Sequence, residues 1–167
     1  MITITEQDLF ADVAVTPDES LPTRLMTRVF VWNPEGLFGV VENKWPPHWF
    51  DLPGGGCEAD EPVDDCVMRE CLEEMGATVT GLEPIGLCDV WDQEQHIHFD
   101  IRYYSVQLVS LGERTTTDER EQNREIRWVE PGEYMNMIAE YIANEPRQNY
   151  QRGLLSTKYF LNHFFGY

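Results

Sequence analysis

The chain has 167 residues, of which 42% are hydrophobic and 12% aromatic, a composition typical of a globular protein rather than of a disordered one. Its 30 acidic and 12 basic residues give a formal charge of −18, which argues against nucleic acid as a partner because phosphate backbones are bound by clustered Lys and Arg. No apolar run approaches the roughly 18 residues that a membrane-spanning helix needs, and the first residues lack the pattern of a secretory signal. We therefore expect a cytoplasmic protein with no membrane partner, folded as a single domain over residues 1–167.

Four cysteines lack the close pairing and the neighbouring histidines of a zinc site. Cys66 and Cys71 are five residues apart on one predicted helix, which is poor geometry for a disulfide. Free, buried thiols in a reducing cytoplasm are the better interpretation. We expect this for all four: Cys57, Cys66, Cys71 and Cys88.

The first half of the chain predicts three strands. Residues 24–32 are rich in β-branched and aromatic side chains, and the turn at residues 33–36 leads back into a second strand over residues 37–42, as in a hairpin. A loop rich in proline and aromatic residues covers residues 44–50, and a short strand follows at residues 50–52.

A glycine-rich turn at residues 52–56 and an acidic segment precede a predicted helix over residues 62–75. Pro62 suits the first helical position, where its missing N–H costs nothing. Gly76 suits the left-handed position that follows the end of a helix.

Further strands and helices follow in alternation. The strands are predicted over residues 78–90 (interrupted at Pro84 and Gly86), 96–109 and 125–129, and the helices over residues 131–143 and 154–165. Strands and helices alternating around a mixed sheet predict an α/β fold with helices on both faces, an α/β/α sandwich.

The first long helix carries three carboxylates on one face. Glu70, Glu73 and Glu74 stand at positions i, i+3 and i+4, and the repulsion of Glu70 and Glu74 costs about 0.2–0.5 kcal/mol. A hard divalent cation would turn this cost into a gain, because Mg²⁺ prefers oxygen ligands and is commonly held by carboxylates together with substrate phosphates. A solvated acidic surface is the alternative interpretation of the three acids taken alone.

The wider spacing is more specific than the acids alone. It reads Gly55-x5-Glu61-x7-Arg69-Glu70-Cys71-x-Glu73-Glu74-x-Gly76-Ala77. This pattern resembles the Nudix box, the signature of the Nudix hydrolases, at every fixed polar and glycine position of residues 55–77. Cys71, where a larger aliphatic residue is usual, and the small Ala77 are mild departures. The resemblance implies the Nudix fold, in which the box helix lies against the sheet and carries a metal site.

The resemblance also implies a set of metal ligands. Glu70 and Glu74 would bind Mg²⁺ directly, with Mn²⁺ as a substitute, and Glu73 would be a third or a water-mediated ligand. The backbone carbonyl of Gly55 would be a further ligand, since glycine allows close approach to a metal.

Other residues would support the site or the reaction. Glu61 would act from outside the ligand shell and Arg69 would orient the glutamates. A carboxylate must take a proton from the attacking water, and the family places this base on the box helix or in a later loop. The loop before the last strand offers Glu121 and Glu125 as our preferred pair, with simple solvation as the alternative for each.

Substrate contacts are predicted with less support from the pattern. Lys44 and Arg102 are the basic residues near the expected cleft and could hold a phosphate, although a surface role explains them equally. Trp49, like Trp45 and Trp91, could stack on a nucleobase, with core or dimer packing as the alternative.

The resulting interpretation is an Mg²⁺-dependent hydrolase that cuts a nucleoside diphosphate linked to another group, a small-molecule substrate. The apolar C-terminal segment suggests a homodimer. A sensor that binds a nucleotide without hydrolysing it is the main alternative. Prenyl-diphosphate isomerisation and RNA-cap hydrolysis, also found on this fold, are disfavoured by missing residues and by the charge of −18.

Overall fold

The structure, a computed structural model, describes residues 1–10, 16–43, 49–116, 124–144 and 148–166. Within these residues seven strands form one mixed sheet in the order β1-β5-β6-β2-β3-β4, with β7 paired to β3. The strands are β1 (Ile2–Thr5), β2 (Thr23–Trp32), β3 (Phe38–Asn43), β4 (Trp49–Asp51), β5 (Ala77–Asp92), β6 (Ile97–Leu111) and β7 (Arg124–Val129). The pairs β1–β5 and β2–β6 are parallel and the other pairs are antiparallel.

Helices cover both faces of this sheet. They are α1 (Glu6–Leu9), α2 (Val63–Met75), α3 (Pro131–Asn144) and α4 (Gln148–Phe160), which continues as a π-helical turn (Leu161–Phe165). The predicted α/β/α sandwich is therefore confirmed. In the described part of the chain, the helices are too short or too polar for any of them to cross a membrane.

Side chains along β2 alternate between the two faces of the sheet, and each face carries one hydrophobic cluster. Val29 and Val31 are fully buried with Val67 and other residues of α2. Phe30, between them in sequence, packs on the other face with residues such as Phe160 of α4. A strand with period 2 that is buried on both faces lies at the centre of the sandwich.

The N-terminal strand β1 was not predicted. It is four residues long and joins the sheet through parallel pairing with β5, in which Ile2 lies opposite Gly86. A Cβ at Gly86 would lie 2.2 Å from the ring of Phe160, so glycine there makes room for a helix rather than ending β5. β5 runs through Pro84 and Gly86, and its pairing with β6 shifts register once between these two residues.

The two ends of α2 compare differently with prediction. Gly76 has φ of 67° and donates its N–H to the carbonyls of Cys71 and Leu72, so the predicted left-handed end is confirmed. Pro62 lies just before the helix with ψ of 139°, rather than at its first helical position as predicted.

Candidate active site

The glycine-rich loop that follows β4 lies where strands β2 and β3 separate. β3 pairs with β2 at a single residue pair. Further along β2, the backbone of residues 53–57 forms the hydrogen bonds that a neighbouring strand would otherwise form. The N–H of Thr27 donates to the carbonyl of Gly55 at 2.9 Å, and the N–H of Cys57 donates to the carbonyl of Leu25 at 3.0 Å. Backbone hydrogen bonds therefore hold the loop as they would hold another strand.

Glycine is required where this loop passes between β2 and α2. Gly54 has φ of +141°, and a Cβ there would lie 2.2 Å from the carbonyl oxygen of Thr27. A Cβ on Gly55 would lie 2.6 Å and 2.7 Å from the two carboxylate oxygens of Glu70. A side chain at either position would displace the strand or the acid.

Glu74 is the most buried acid of α2, with 2% of its surface exposed. Its Oε2 accepts the N–H of Gly54 at 2.8 Å, and its Oε1 is ion-paired with Nη1 of Arg124. Burial raises the pKa of Glu74 to about 7, and the Gly54 amide and the Arg124 guanidinium offset only part of that effect. This carboxyl therefore ionises near neutral pH, where a bound cation would favour its charged form.

Arg69 joins the remaining acids to the loop. Its Nη1 donates to Glu70 at 2.8 Å and to Glu73 at 3.0 Å. Its Nε and Nη2 donate to the two oxygens of Glu61 at 2.8 Å and 2.9 Å, and Nη2 also donates to the Gly56 carbonyl at 3.0 Å. These bonds hold the pKa of the Glu61 carboxyl below its usual value. Arg69 therefore contacts three of the predicted site acids, and the orienting role that the box resemblance implies stays a prediction.

Glu70, Glu73 and Glu74 line a cavity of about 270 Å³, which we call the acidic cavity. Its charged lining residues are Glu70, Glu73, Glu74, Asp51, Arg24, Arg28 and Arg124, together with the backbone of the glycine loop. A cavity with carboxylates and guanidinium groups on its walls can hold both a cation and a phosphate.

The donor set of this cavity fits a hard divalent cation. It offers carboxylate oxygens and the Gly55 carbonyl, which accepts one hydrogen bond and keeps a second lone pair. Within the described residues, the oxygens of Glu70, Glu73 and Glu74 do not all lie within 4.8 Å of one another. Guanidinium groups contact these acids instead, so cation binding requires small movements of flexible side chains.

Three arginines of this cavity were missed by the sequence interpretation. Arg24 and Arg28 stand four residues apart on one face of β2, and the period of that strand could have indicated a basic face. Arg28 donates from Nη1 to the Gly54 carbonyl at 3.0 Å and from Nε to Asp51 at 3.2 Å. Arg124 opens β7, and only the fold brings it to Glu74.

Several predicted site residues lie outside the acidic cavity or outside the residues that the structure describes. Lys44 and Glu121 are outside the described residues, as is the side chain of Trp49, whose backbone begins β4. Glu125 is exposed on β7 and does not line the acidic cavity. The roles of these residues stay predictions.

Arg102 and Trp91 have partners within the sheet. Arg102 donates two hydrogen bonds to Asp100, at 3.0 Å and 3.2 Å. Trp91 stacks on His98 with ring centroids 4.7 Å apart. Neither residue lines the acidic cavity or the larger cavity beside it.

The larger cavity has a volume of about 460 Å³ and lies between the sheet and helices α3 and α4. Met26, Arg28 and Asp51 belong to the walls of both cavities. Phe99 and Tyr141 contribute aromatic surface to the larger one. A ligand held in the acidic cavity therefore has an adjacent, largely apolar space to occupy.

The expectation of four free cysteines is wrong for two of them. Cys57 and Cys66 form a disulfide, with their Cα atoms 5.4 Å apart. The pairing of the loop with β2 brings Cys57 to the first turn of α2, a contact that spacing along the helix did not indicate. Cys71 and Cys88 are free and buried, as predicted.

Comparison with known proteins adds a family match. A sequence model described as the NUDIX domain matches residues 22–152. Comparison with curated proteins finds no match.

Several solved structures share the fold. A NUDIX hydrolase from Nitrosomonas europaea aligns with a TM-score of 0.60 at 16% identity, covering 82% of this chain and 88% of its own. A MutT protein from Methanosarcina mazei Go1 aligns with a TM-score of 0.59 at 18% identity, covering 87% and 99%. A MutT NUDIX hydrolase from Burkholderia pseudomallei aligns with a TM-score of 0.53 at 22% identity, covering 66% and 84%. At these identities the likeness concerns the fold alone.

Proposed function

The chain belongs to the Nudix hydrolase family, and we propose that it hydrolyses the diphosphate linkage of a nucleoside diphosphate joined to another group, with Mg²⁺ as its cofactor. The observation that carries this proposal is the buried carboxylate of Glu74, held against the glycine loop in a cavity that also contains Glu70 and Glu73. An acid with this degree of burial and incomplete charge compensation favours a cation as its partner.

Glu70 and Glu74 would hold the cation directly, with Glu73 and the Gly55 carbonyl as further ligands. When bound, the metal neutralises phosphate charge and lowers the pKa of a bound water, and Mn²⁺ would substitute for Mg²⁺. Arg69 keeps Glu70 and Glu73 oriented through the hydrogen bonds of its Nη1. Arg124, whose Nη1 pairs with Glu74, would have to give up this ion pair for Glu74 to hold the cation.

Arginines let this strongly acidic chain accept an anionic substrate. Arg28 is braced by Asp51 and by the Gly54 carbonyl, so it holds the loop in place while adding positive charge to the cavity. Arg124 is already within reach of the acids. Local guanidinium groups and the metal together offset the overall charge where the diphosphate binds.

The general base is proposed to come from the segment that ends at β7. Glu121 and Glu125 remain our candidates. Arg124, the neighbour of Glu125, contacts Glu74, so the first residue of β7 reaches the edge of the acidic cavity. A carboxylate there would need to come within hydrogen-bond reach of the attacking water, about 2.6–3.2 Å.

A small molecule with one flat group would fit the two adjoining cavities. The diphosphate would lie in the acidic cavity, and the larger cavity would take an apolar or aromatic part of the substrate against Phe99 and Tyr141. Lys44 and Trp49 remain candidate substrate contacts. Arg102 is a weaker candidate, since it pairs with Asp100 outside both cavities.

The direct test is a ³¹P NMR screen of nucleoside diphosphate derivatives with Mg²⁺, run with the wild-type protein and with Glu74→Gln. We expect cleavage of one class by the wild type and a rate lower by at least about 10- to 100-fold in the variant, since a lost metal ligand costs at least as much as a lost supporting partner. The matched control is Glu83→Gln, an exposed acid of β5, which should keep the wild-type rate.

Two outcomes would contradict the proposal. Turnover close to wild type in Glu74→Gln, with an unchanged circular dichroism spectrum, would remove Glu74 from the mechanism. Tight binding of one derivative without any hydrolysis, at saturating Mg²⁺, would instead support the non-catalytic sensor.

A further inference from the structure

One arginine of the acidic cavity has no acidic partner within the described part of the chain. Arg28 is paired with Asp51, and Arg124 is paired with Glu74. Arg24 is exposed and lines the same cavity, and among the residues that the structure describes its side chain forms no ion pair or hydrogen bond. In a chain with 30 acidic and 12 basic residues, a guanidinium without an acidic partner is unusual in a cavity that three carboxylates of α2 also line.

The structure gives this guanidinium a defined position. Its Nη2, Nε and Cζ atoms lie 3.0, 3.2 and 3.5 Å from the point where a Cβ on Gly56 would stand. The guanidinium therefore lies against the backbone of the glycine loop, and a methyl group on Gly56 would press on it and shift it by a few tenths of an ångström. Met26, the next residue on the same face of β2, separates Arg24 from Arg28 and also lines the cavity.

A guanidinium without a partner at a polar cavity is suited to an anion. Its N–H donors match the geometry of two phosphate oxygens, and such charge-assisted pairs are about twice as strong as neutral hydrogen bonds. The acids on α2 would repel the same anion unless a cation lay between them. Arg24 is thus placed to bind phosphate oxygens that the acids and their cation do not bind.

We propose that Arg24 binds a phosphate group of the substrate and selects substrates that carry an anionic group at that end of the acidic cavity. This inference rests on the proposed hydrolase function and names a residue outside the Nudix box that determines its specificity. Since such a contact exists in the bound substrate and in the transition state alike, its loss should raise KM and leave kcat nearly unchanged.

The test measures binding of methylenediphosphonate, a diphosphate analogue that resists hydrolysis, by calorimetry in the presence of Mg²⁺. We expect Arg24→Gln to weaken binding by about 10- to 100-fold, the usual range for a lost hydrogen bond to a charged group. Arg24→Lys should lose less, because it keeps the charge but not the paired donors. Arg127→Gln is the matched control, since it removes one exposed arginine of β7 that pairs with Glu133 away from both cavities.

A second variant tests the position of the guanidinium. Gly56→Ala places a methyl group against Arg24 and should weaken binding in the wild-type background. The same substitution should have little further effect in Arg24→Gln, because the group that it displaces is already gone. Equal effects of Gly56→Ala in both backgrounds would overturn the assigned position.

The outcomes separate this inference from the proposed function. If the wild type hydrolyses a substrate while Arg24→Gln keeps wild-type KM and analogue affinity, the inference about Arg24 is wrong and the hydrolase proposal stands. If the wild type hydrolyses nothing but Arg24→Gln still weakens analogue binding, the phosphate contact stands and the hydrolase proposal fails.

Discussion

Glu74 is the acid whose burial costs the fold most on α2, and it is also the residue that we propose as a metal ligand. Its carboxyl is buried at 2% exposure, and its two partners compensate only part of the cost of ionising it there. Glu61, in contrast, is held by two hydrogen bonds from Arg69 and ionises more easily than usual. The two acids of one motif therefore differ in how readily they ionise, as expected if one binds a cation and the other supports an arginine.

The raised pKa of Glu74 predicts a specific pH dependence of stability. With a pKa of about 7 in the folded protein and 4.5 as the ordinary value, folded Glu74 keeps a proton that unfolded Glu74 has lost between these two pH values. Rising pH should therefore lower the free energy of unfolding of the metal-free protein across this window, by about 3 kcal/mol from this residue.

Urea unfolding in the presence of a chelator, from about pH 5 to about pH 8, measures this effect. Glu74→Gln is the control, because glutamine does not ionise, and the wild type should lose stability relative to it as pH rises. Parallel curves for the two proteins would show that the carboxyl ionises normally.

At the scale of elements, the loop of residues 53–57 is held by independent attachments. Its backbone pairs with β2, its Gly56 carbonyl accepts a hydrogen bond from Arg69, and the disulfide joins Cys57 to Cys66 on α2. The first attachment is set by the strand and the other two by the helix. The loop therefore links the two elements that carry the arginines and the acids of the cavity.

The disulfide predicts a measurable loss of stability on its removal. The two cysteines are nine positions apart, and closing a loop of this length stabilises a folded protein by about 2–3 kcal/mol in the chain-entropy description. Cys57→Ser should lower the free energy of unfolding by that amount. A thiol reductant should lower the stability of the wild type similarly and should leave Cys57→Ser unchanged. A wild type that does not respond to reductant, and whose thiols all react under denaturing conditions, would contradict the disulfide.

Elements with strong local patterns were predicted well from the sequence. The bounds of α2 and β2 were predicted within one residue, because a 3.6-residue stripe, a left-handed glycine and a run of β-branched residues are local properties. β1 was missed because four residues carry little pattern and its position depends on pairing with β5. The same distinction applies to the candidate site. The box acids are local in sequence, whereas Arg24, Arg124 and the disulfide partner Cys57 reach it through strand pairing.

At the scale of the molecule, the N-terminal segment is joined to the family domain rather than separate from it. β1 extends the sheet beyond β5, outside the residues that the family model matches. Arg152 of α4 forms ion pairs with Glu6 of α1 and with Asp92 of β5, linking the segment to both layers. These contacts support a single domain, which, like the homodimer and the cytoplasmic location, stays a prediction.

The net charge of −18 leads to a prediction about salt and metal. Repulsion among the acids opposes folding, so NaCl should raise Tm modestly by screening. Mg²⁺ should raise Tm further at the same ionic strength, because binding to the folded state alone adds about 2.7 kcal/mol at 100 times the dissociation constant, or about 5–10 °C for a chain of this size.

Thermal unfolding of the wild type and Glu74→Gln in both salts separates the two effects, since the variant should keep the NaCl response and lose the extra stabilisation by Mg²⁺. An equal response of both proteins to Mg²⁺ would mean that the cation acts by screening the whole surface and not at Glu74.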